Sequence, residues 1–195
     1  MTTFGLYLRL GFGHISDLAA YDHILFLLAI TAVYSFREWK KVLILVTAFT
    51  IGHSLTLALA TLKVVHISTD LIEFLIPVTI FAAGTWNVIQ PSGRVRPGSH
   101  AFKYGTALFF GLIHGLGFSN YLRSLLGEES NLLMPLFSFN LGLEIGQIAV
   151  VMVILVLSLL SVDLAGVKRR DWNLLLSGAA IGVSLVLCFE RWPWS

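Results

Sequence analysis

The residues able to do chemistry in this sequence are few and unevenly spread. Four histidines (His14, His23, His53 and His114) and four carboxylates (Asp17, Asp22, Glu73 and Glu144) fall within or beside strongly apolar runs. An ionisable side chain among lipid is expensive, and its default reading is a functional site. Imidazole with carboxylate and without thiolate suits zinc, nickel, cobalt, iron or manganese rather than copper(I). The single cysteine, Cys188, rules out an internal disulfide and a Cys-rich zinc site. The tandem Asp22–His23 fits metal chemistry, since a ligating histidine usually has its second nitrogen held by a carboxylate or carbonyl.

The elements that position these residues follow from composition. Of 195 residues, 56% are apolar and only 12% charged, with a mean hydropathy of +0.83. Soluble domains run at roughly 45–50% apolar and 25% charged. Too little polar surface exists to cover a water-soluble core, and too much apolar surface for disorder. A net charge of +2 gives no argument for nucleic acid. The reading is an all-α, polytopic transmembrane bundle forming one domain over residues 1–195, with membrane lipid as its surroundings.

A crossing helix needs about 20 apolar residues. Six stretches meet or approach this, at approximately 20–36, 42–62, 70–90, 102–122, 132–161 and 172–191. The fifth is longer than a straight crossing requires, with Pro135 as a candidate bend. The segment FGLYLRLGFGHISDLAA is apolar but carries Arg9, His14 and Asp17, and lacks the marks of a signal peptide. It reads as a short interfacial or re-entrant helix, with seven spans as the alternative. Joints after the first, third and fifth spans hold Arg37, Lys40, Lys41, Arg94, Arg96, Lys103, Lys168, Arg169 and Arg170. The other side holds Arg9, Lys63, Arg123 and Arg191, a bias of nine against four. By the positive-inside rule both termini lie outside, as expected for a bacterial inner-membrane protein. Trp39, Trp192 and Trp194 fall at span ends, where interfacial aromatics belong.

Depth then groups the costly residues. At 1.5 Å per residue, Asp22, His23 and Glu73 lie near the outer ends of their spans. His53, His114 and Glu144 lie near mid-depth, so five helices place polar groups in one outer slab. Thr50, His53, Ser54 and Leu57 share a helical face, and Asn140, Glu144 and Gln147 share another. Lipid offers neither face a partner, so both should turn inward. Gly111 and Gly115 bracket His114, and Gly142 and Gly146 bracket Glu144, a spacing that lets helices approach closely.

Plainer roles exist for each residue. A membrane histidine can serve as a helix-to-helix hydrogen bond, Glu73 can snorkel to the interface, and Asp17 can cap the following helix. His66 and His100 lie in joints and read as solvated.

The runs GHISDLAAYDHILFLLAI, FTIGHSLTLALA, FGLIHGLGFSN and FNLGLEIGQ together resemble the HupE/UreJ family of membrane proteins, over about residues 8–150. Members of that family are described as nickel or cobalt permeases associated with hydrogenase and urease maturation. A more distant similarity is to the nickel/cobalt transporter signature, a histidine, four residues, then Asp-His. The resemblance implies His14, Asp22, His23 and His53 as metal-site residues, with His114 and Glu144 from the later motifs. This chain departs from the signature, because seven residues separate His14 from Asp22. Either His14 reaches the site from a longer turn, or Asp17 takes its place.

Two functions fit these residues. One is a permease for a divalent ion (nickel, cobalt or zinc) that gives up water to the histidines and a carboxylate. The nearly apolar cytoplasmic half, with Asn87 and Gln90 its main polar residues, offers that route no second set of ligands. Six small helices also leave little material for alternating access unless the chain forms a homo-oligomer. The other is an intramembrane zinc-type metallohydrolase acting on a lipid or lipid-like substrate. There three histidines and an acid hold the metal, Asp22, Glu73 or Glu144 is the general base, and Ser54 orients substrate or water. The family resemblance ranks the permease first.

Overall fold

The computed structural model describes residues 2–17, 21–65, 67–90, 100–126 and 132–193, excepting the side chains of Asn120 and Arg123. His66, Arg94, Arg96, Trp194 and the Arg123 side chain lie outside them.

The described residues form helices and their connections, with no strand among them. The helices are α1 (Thr3–Ser16), α2 (Asp22–Thr31), α3 (Trp39–Thr61), α4 (Thr69–Ile89), α5 (His100–Leu126), α6 (Leu133–Ser158) and α7 (Arg169–Glu190). A 3-10 turn at Phe36–Glu38 leads into α3, and a π-helical turn at Leu159–Leu164 extends α6. Four helical segments are long and apolar enough to cross a membrane: Phe36–Thr61, Thr69–Ile89, Leu133–Leu164 and Arg169–Glu190. This is an integral membrane protein.

The first expected span differs from what forms. Helix α2 covers only 10 residues, about 15 Å of rise, because the chain turns at 32–35 before the 3-10 segment. Ahead of it, α1 is a full helix of 14 residues, begun by the Thr2 hydroxyl accepting from the Gly5 amide at 3.3 Å. It packs lengthwise on α6, burying Tyr7, Gly11 and Ile15. Pro135 does not bend α6. It stands third in the helix, where the missing amide would have had no intrahelical partner anyway. The extra length lies at the other end, in the π-helical turn.

Three helix pairs make the main contacts: α3 with α5, α1 with α6, and α4 with α7. Glycines explain the first two. A Cβ on Gly52 would strike the carbonyl of Leu108, one on Gly111 that of Phe49, and one on Gly115 that of His53. In the same way Gly11 lies against the Phe139 carbonyl, Gly142 against that of Leu8, and Gly146 against Phe12 and Ile15. Residue numbers climb together within each pair, so α3 runs parallel to α5 and α1 to α6. The runs Gly-Leu-Ile-His-Gly (111–115) and Gly-Leu-Glu-Ile-Gly (142–146) thus do one job twice. Helix α2 fits between α4, α6 and α7.

The end of the bundle holding the start of α5 contains a buried polar group. Asn87 donates to the Ala29 carbonyl and to Ser177 Oγ (3.4 Å), while its backbone carbonyl accepts from Asn173 Nδ2 at 3.0 Å. Lys103 Nζ donates to Asn87 Oδ1 at 3.2 Å. This half is therefore less apolar than its hydropathy implies, since Lys103, Asn173 and Ser177 join Asn87. His100 is half-buried between Tyr34 and Tyr104 rather than solvated, with centroids 6.2 and 6.3 Å away.

The glycine contacts are testable. Gly52→Ala should destabilise the protein in detergent by roughly 1–3 kcal/mol, the usual cost of overpacking. Gly178→Ala, where a Cβ meets nothing within 4 Å, should be neutral or slightly stabilising. Thermal midpoints of the two variants check this, and equal midpoints would dismiss the close-contact account.

Candidate metal centre

The break between α1 and α2 builds the site. His14 stands in the last turn of α1, and His23 is the second residue of α2. The two rings meet edge to face with centroids 4.5 Å apart. His53, fully buried on α3, has its centroid 6.2 Å from His14 and 6.4 Å from His23. One nitrogen from each of His14, His23 and His53 lies within 4.8 Å of the others, a spacing able to close on one ion. His114 of α5 comes next, 5.4 Å from His23 by centroid.

Hydrogen bonding sets these rings apart from structural histidines. His14 Nε2, both nitrogens of His23, both of His53 and Nδ1 of His114 are buried without a hydrogen-bond partner. Leaving such an atom unsatisfied costs about 1–3 kcal/mol, and native structures carry few. A neutral imidazole carries one N–H and one lone pair, so these six nitrogens on four rings can offer a ligand at most four lone pairs, one from each ring.

The surroundings favour particular tautomers. Thr79 Oγ1 donates to the Ile76 carbonyl at 2.7 Å and lies 3.1 Å from His114 Nε2. With the Thr79 proton on the Ile76 carbonyl, Thr79 accepts from a protonated His114 Nε2, the tautomer that leaves the His114 lone pair on Nδ1. Asp22 Oδ1 lies 3.3 Å from His23 Nδ1. That is close enough to favour a proton there electrostatically, though the geometry is too oblique for a hydrogen bond. The His23 Nε2 lone pair is then free for a ligand, the usual carboxylate–histidine arrangement.

Asp22 is itself held in place. It accepts from the His23 amide at 3.0 Å and from Arg191 Nη1 of the residue following α7 at 3.3 Å. A cavity of about 200 Å³ opens above the rings, lined by His14, Asp22, His23, Glu73, His114 and Arg191 among others. On the opposite side phenyl rings close the site. Phe26 packs on Phe49 at 4.8 Å and on Phe110 at 5.9 Å, and both Phe26 and Phe49 touch the His114 ring. Phe118 covers His14 at 3.9 Å. The cavity therefore communicates with the Arg191 end of the bundle, and the aromatic floor separates it from the Lys103 end.

The remaining expected residues differ in their relation to this cavity. Glu73 is exposed at the cavity wall. Asp17 is exposed and is the C-cap of α1, not the N-cap of α2, which is Tyr21. Glu144 accepts from Thr47 Oγ1 at 2.7 Å, and Gln147 from Thr50 Oγ1 at 2.7 Å. Those two bonds tie α6 to α3. Glu144 follows Gly142 by two residues, about 200° around the helix, so it points away from the face packed on α1. His114 follows Gly111 by three and stays beside the face packed on α3. Ser54 is half-buried and absent from the cavity lining. Sequence reading missed Arg191 and Thr79 as partners of the site. Arg191 had only its position just after the last helix to mark it.

These contacts predict a graded response in metal titrations of the purified protein. Asp22→Asn should weaken divalent-metal affinity by about 10–100-fold, the usual effect of losing such a partner. Glu144→Gln should leave affinity unchanged. The reverse ranking would move the centre to α6.

Compared with known proteins, the chain matches the family model described as HupE / UreJ protein over residues 1–191. No curated protein matches it, and no solved structure does. With all but its last few residues matched, the chain belongs to the HupE/UreJ family.

Proposed function

We propose that the chain is a permease for a divalent transition-metal ion of the nickel/cobalt type, with His14, His23 and His53 as the primary ligands. One observation carries this reading: one nitrogen from each of three buried or half-buried histidines lies within 4.8 Å of the others, beside the interruption between α1 and α2. The family, associated with nickel and cobalt uptake, supports the same direction. Broken helices with a site at the break are a recurring device of transporters. Here the C-terminal end of α1, where the helix dipole is negative, adjoins a cation site. His114 is the next ligand along the path, and Asp22 orients His23. Glu73 at the cavity wall attracts a hydrated cation from the side carrying Arg191, which is the outside by the distribution of basic residues. Release on the other side requires Phe26, Phe49 and Phe110 to part. The donor set, imidazole and carboxylate without thiolate, selects against copper(I).

The metallohydrolase remains the second reading, and the aromatic floor is what favours it. A site closed beneath and open to one side suits a substrate that enters and leaves by the same mouth. Glu73 is then the candidate base, because it lines the cavity, whereas Glu144 and Ser54 are not in its lining.

Flux into proteoliposomes separates the two. Wild-type protein should carry nickel or cobalt into vesicles loaded with a chelating dye. His53→Ala should reduce the initial rate at least about tenfold, since losing one of three ligands costs well over 1.4 kcal/mol of binding. Tightly bound metal with no flux in any lipid would overturn the permease and leave the hydrolase.

A further inference from the structure

We propose a second site, unrelated to the histidines, that holds an anionic phospholipid: its phosphate on Lys103 and part of one acyl chain in the crevice between α4 and α5. Lys103 lies in the first turn of α5 and is only 9% exposed. A buried ammonium is normally paired with a carboxylate. Among the described residues, Lys103 has none within ion-pair distance. Its contacts are Asn87 Oδ1 at 3.2 Å and the face of Tyr34 at 5.8 Å. The rest of the Asn87 side chain is spent on Ala29 and Ser177. An ammonium has three protons to donate, so the charge is left under-compensated. Residues 91–99, which precede α5, include Arg94 and Arg96 and contain no acid that could supply the missing charge.

The space beside Lys103 indicates what can. A cavity of about 150 Å³ is lined by Ile30, Leu45, Ala83 and Phe110 inside and by Trp86 and Phe102 at its mouth, with Lys103 in the wall. Trp86 and Phe102 are about half exposed on the bundle surface, their rings 5.4 Å apart. The mouth therefore opens where the bundle meets lipid. Pockets that enclose a drug-sized molecule run to roughly 300–1,000 Å³. This one takes a segment of a chain whose remainder lies along the outer surface of the helices. A divalent cation has no place beside an uncompensated ammonium, so the crevice is not a continuation of the metal path. An apolar tail with a negative head fits both halves of the site, as in other basic pockets between membrane helices. The proposal does not depend on what the histidine centre does.

Native mass spectrometry of the whole protein, released from nanodiscs of phosphatidylethanolamine containing phosphatidylglycerol, tests it. Wild-type protein should retain one phosphatidylglycerol per chain, in preference to phosphatidylethanolamine by about five- to tenfold, the scale of a single lysine near a membrane surface. Lys103→Gln should abolish the preference. Ala83→Phe, which fills the crevice and spares the ammonium, should reduce retention of both lipids. Equal retention of the two lipids by wild type would overturn the proposal, as would preference surviving in Lys103→Gln. Displacement of phosphatidylglycerol by millimolar inorganic phosphate would also overturn it, because the site would then bind soluble phosphate. Should Lys103→Gln fail to fold, the wild-type preference and the Ala83→Phe comparison decide the matter.

Discussion

Backbone-to-backbone contact through glycine is the constraint on which the rest of this molecule depends. Lipid is as apolar as the helices it surrounds, so burial of leucine cannot drive one helix against another there. Close approach supplies dispersion contacts instead, and it requires that no Cβ intervene. Gly52, Gly111 and Gly115 bring α3 and α5 together at the level of Phe49 and His53. Gly115 lies against the carbonyl of His53 itself. Gly11, Gly142 and Gly146 do the same for α1 and α6, between Leu8 and Ile15. His14 lies within that stretch of α1. The positions of two of the three converging histidines are thus set by helix contacts a residue or two away.

Electrostatics complete the arrangement. Four imidazoles sharing one buried space would repel one another if protonated, and among the described residues the only buried carboxylate beside them is Asp22. That carboxylate also answers Arg191, so α7 is tied to the first turn of α2 across the cavity mouth. The aromatic floor adds apolar bulk beneath, with no oxygen among its rings. Beyond the floor, the Asn87–Lys103–Asn173 group belongs to a different environment, centred on a positive charge.

Much of this was legible in the sequence. The helical class and the membrane setting come from composition and hydropathy, the grouping of His23, His53 and His114 from residue cost and depth, and the inclusion of His14 from the family resemblance. The close pairing through Gly111, Gly115, Gly142 and Gly146 was readable from spacing alone. What spacing could not give was rotation. Glu144 shares a glycine frame with His114, yet one residue of offset turns it by about 100° and sends it to Thr47. The N-terminal segment reads as a helix separate from the first span, and α1 and α2 are separate helices, but hydropathy does not show how short α2 is. The Lys103 group was hidden because Lys103 looks like one more basic residue of a joint until Asn87 and Asn173 are placed beside it.

The three principal helix pairs carry a consequence for the histidine cluster. His14 belongs to the α1–α6 pair, and His53 and His114 belong to the α3–α5 pair. His23 rides on α2, which is seated chiefly on α4 and, to a lesser extent, on α6 and α7. The cluster is therefore assembled from separate helix pairs and α2, and only five residues link His14's helix to His23's. Sliding the α1–α6 pair past its neighbours would withdraw His14 alone, and sliding the α3–α5 pair would withdraw His53 and His114 together, without breaking any helix. Coordination number, and with it the grip on an ion, becomes a function of how the pairs are stacked.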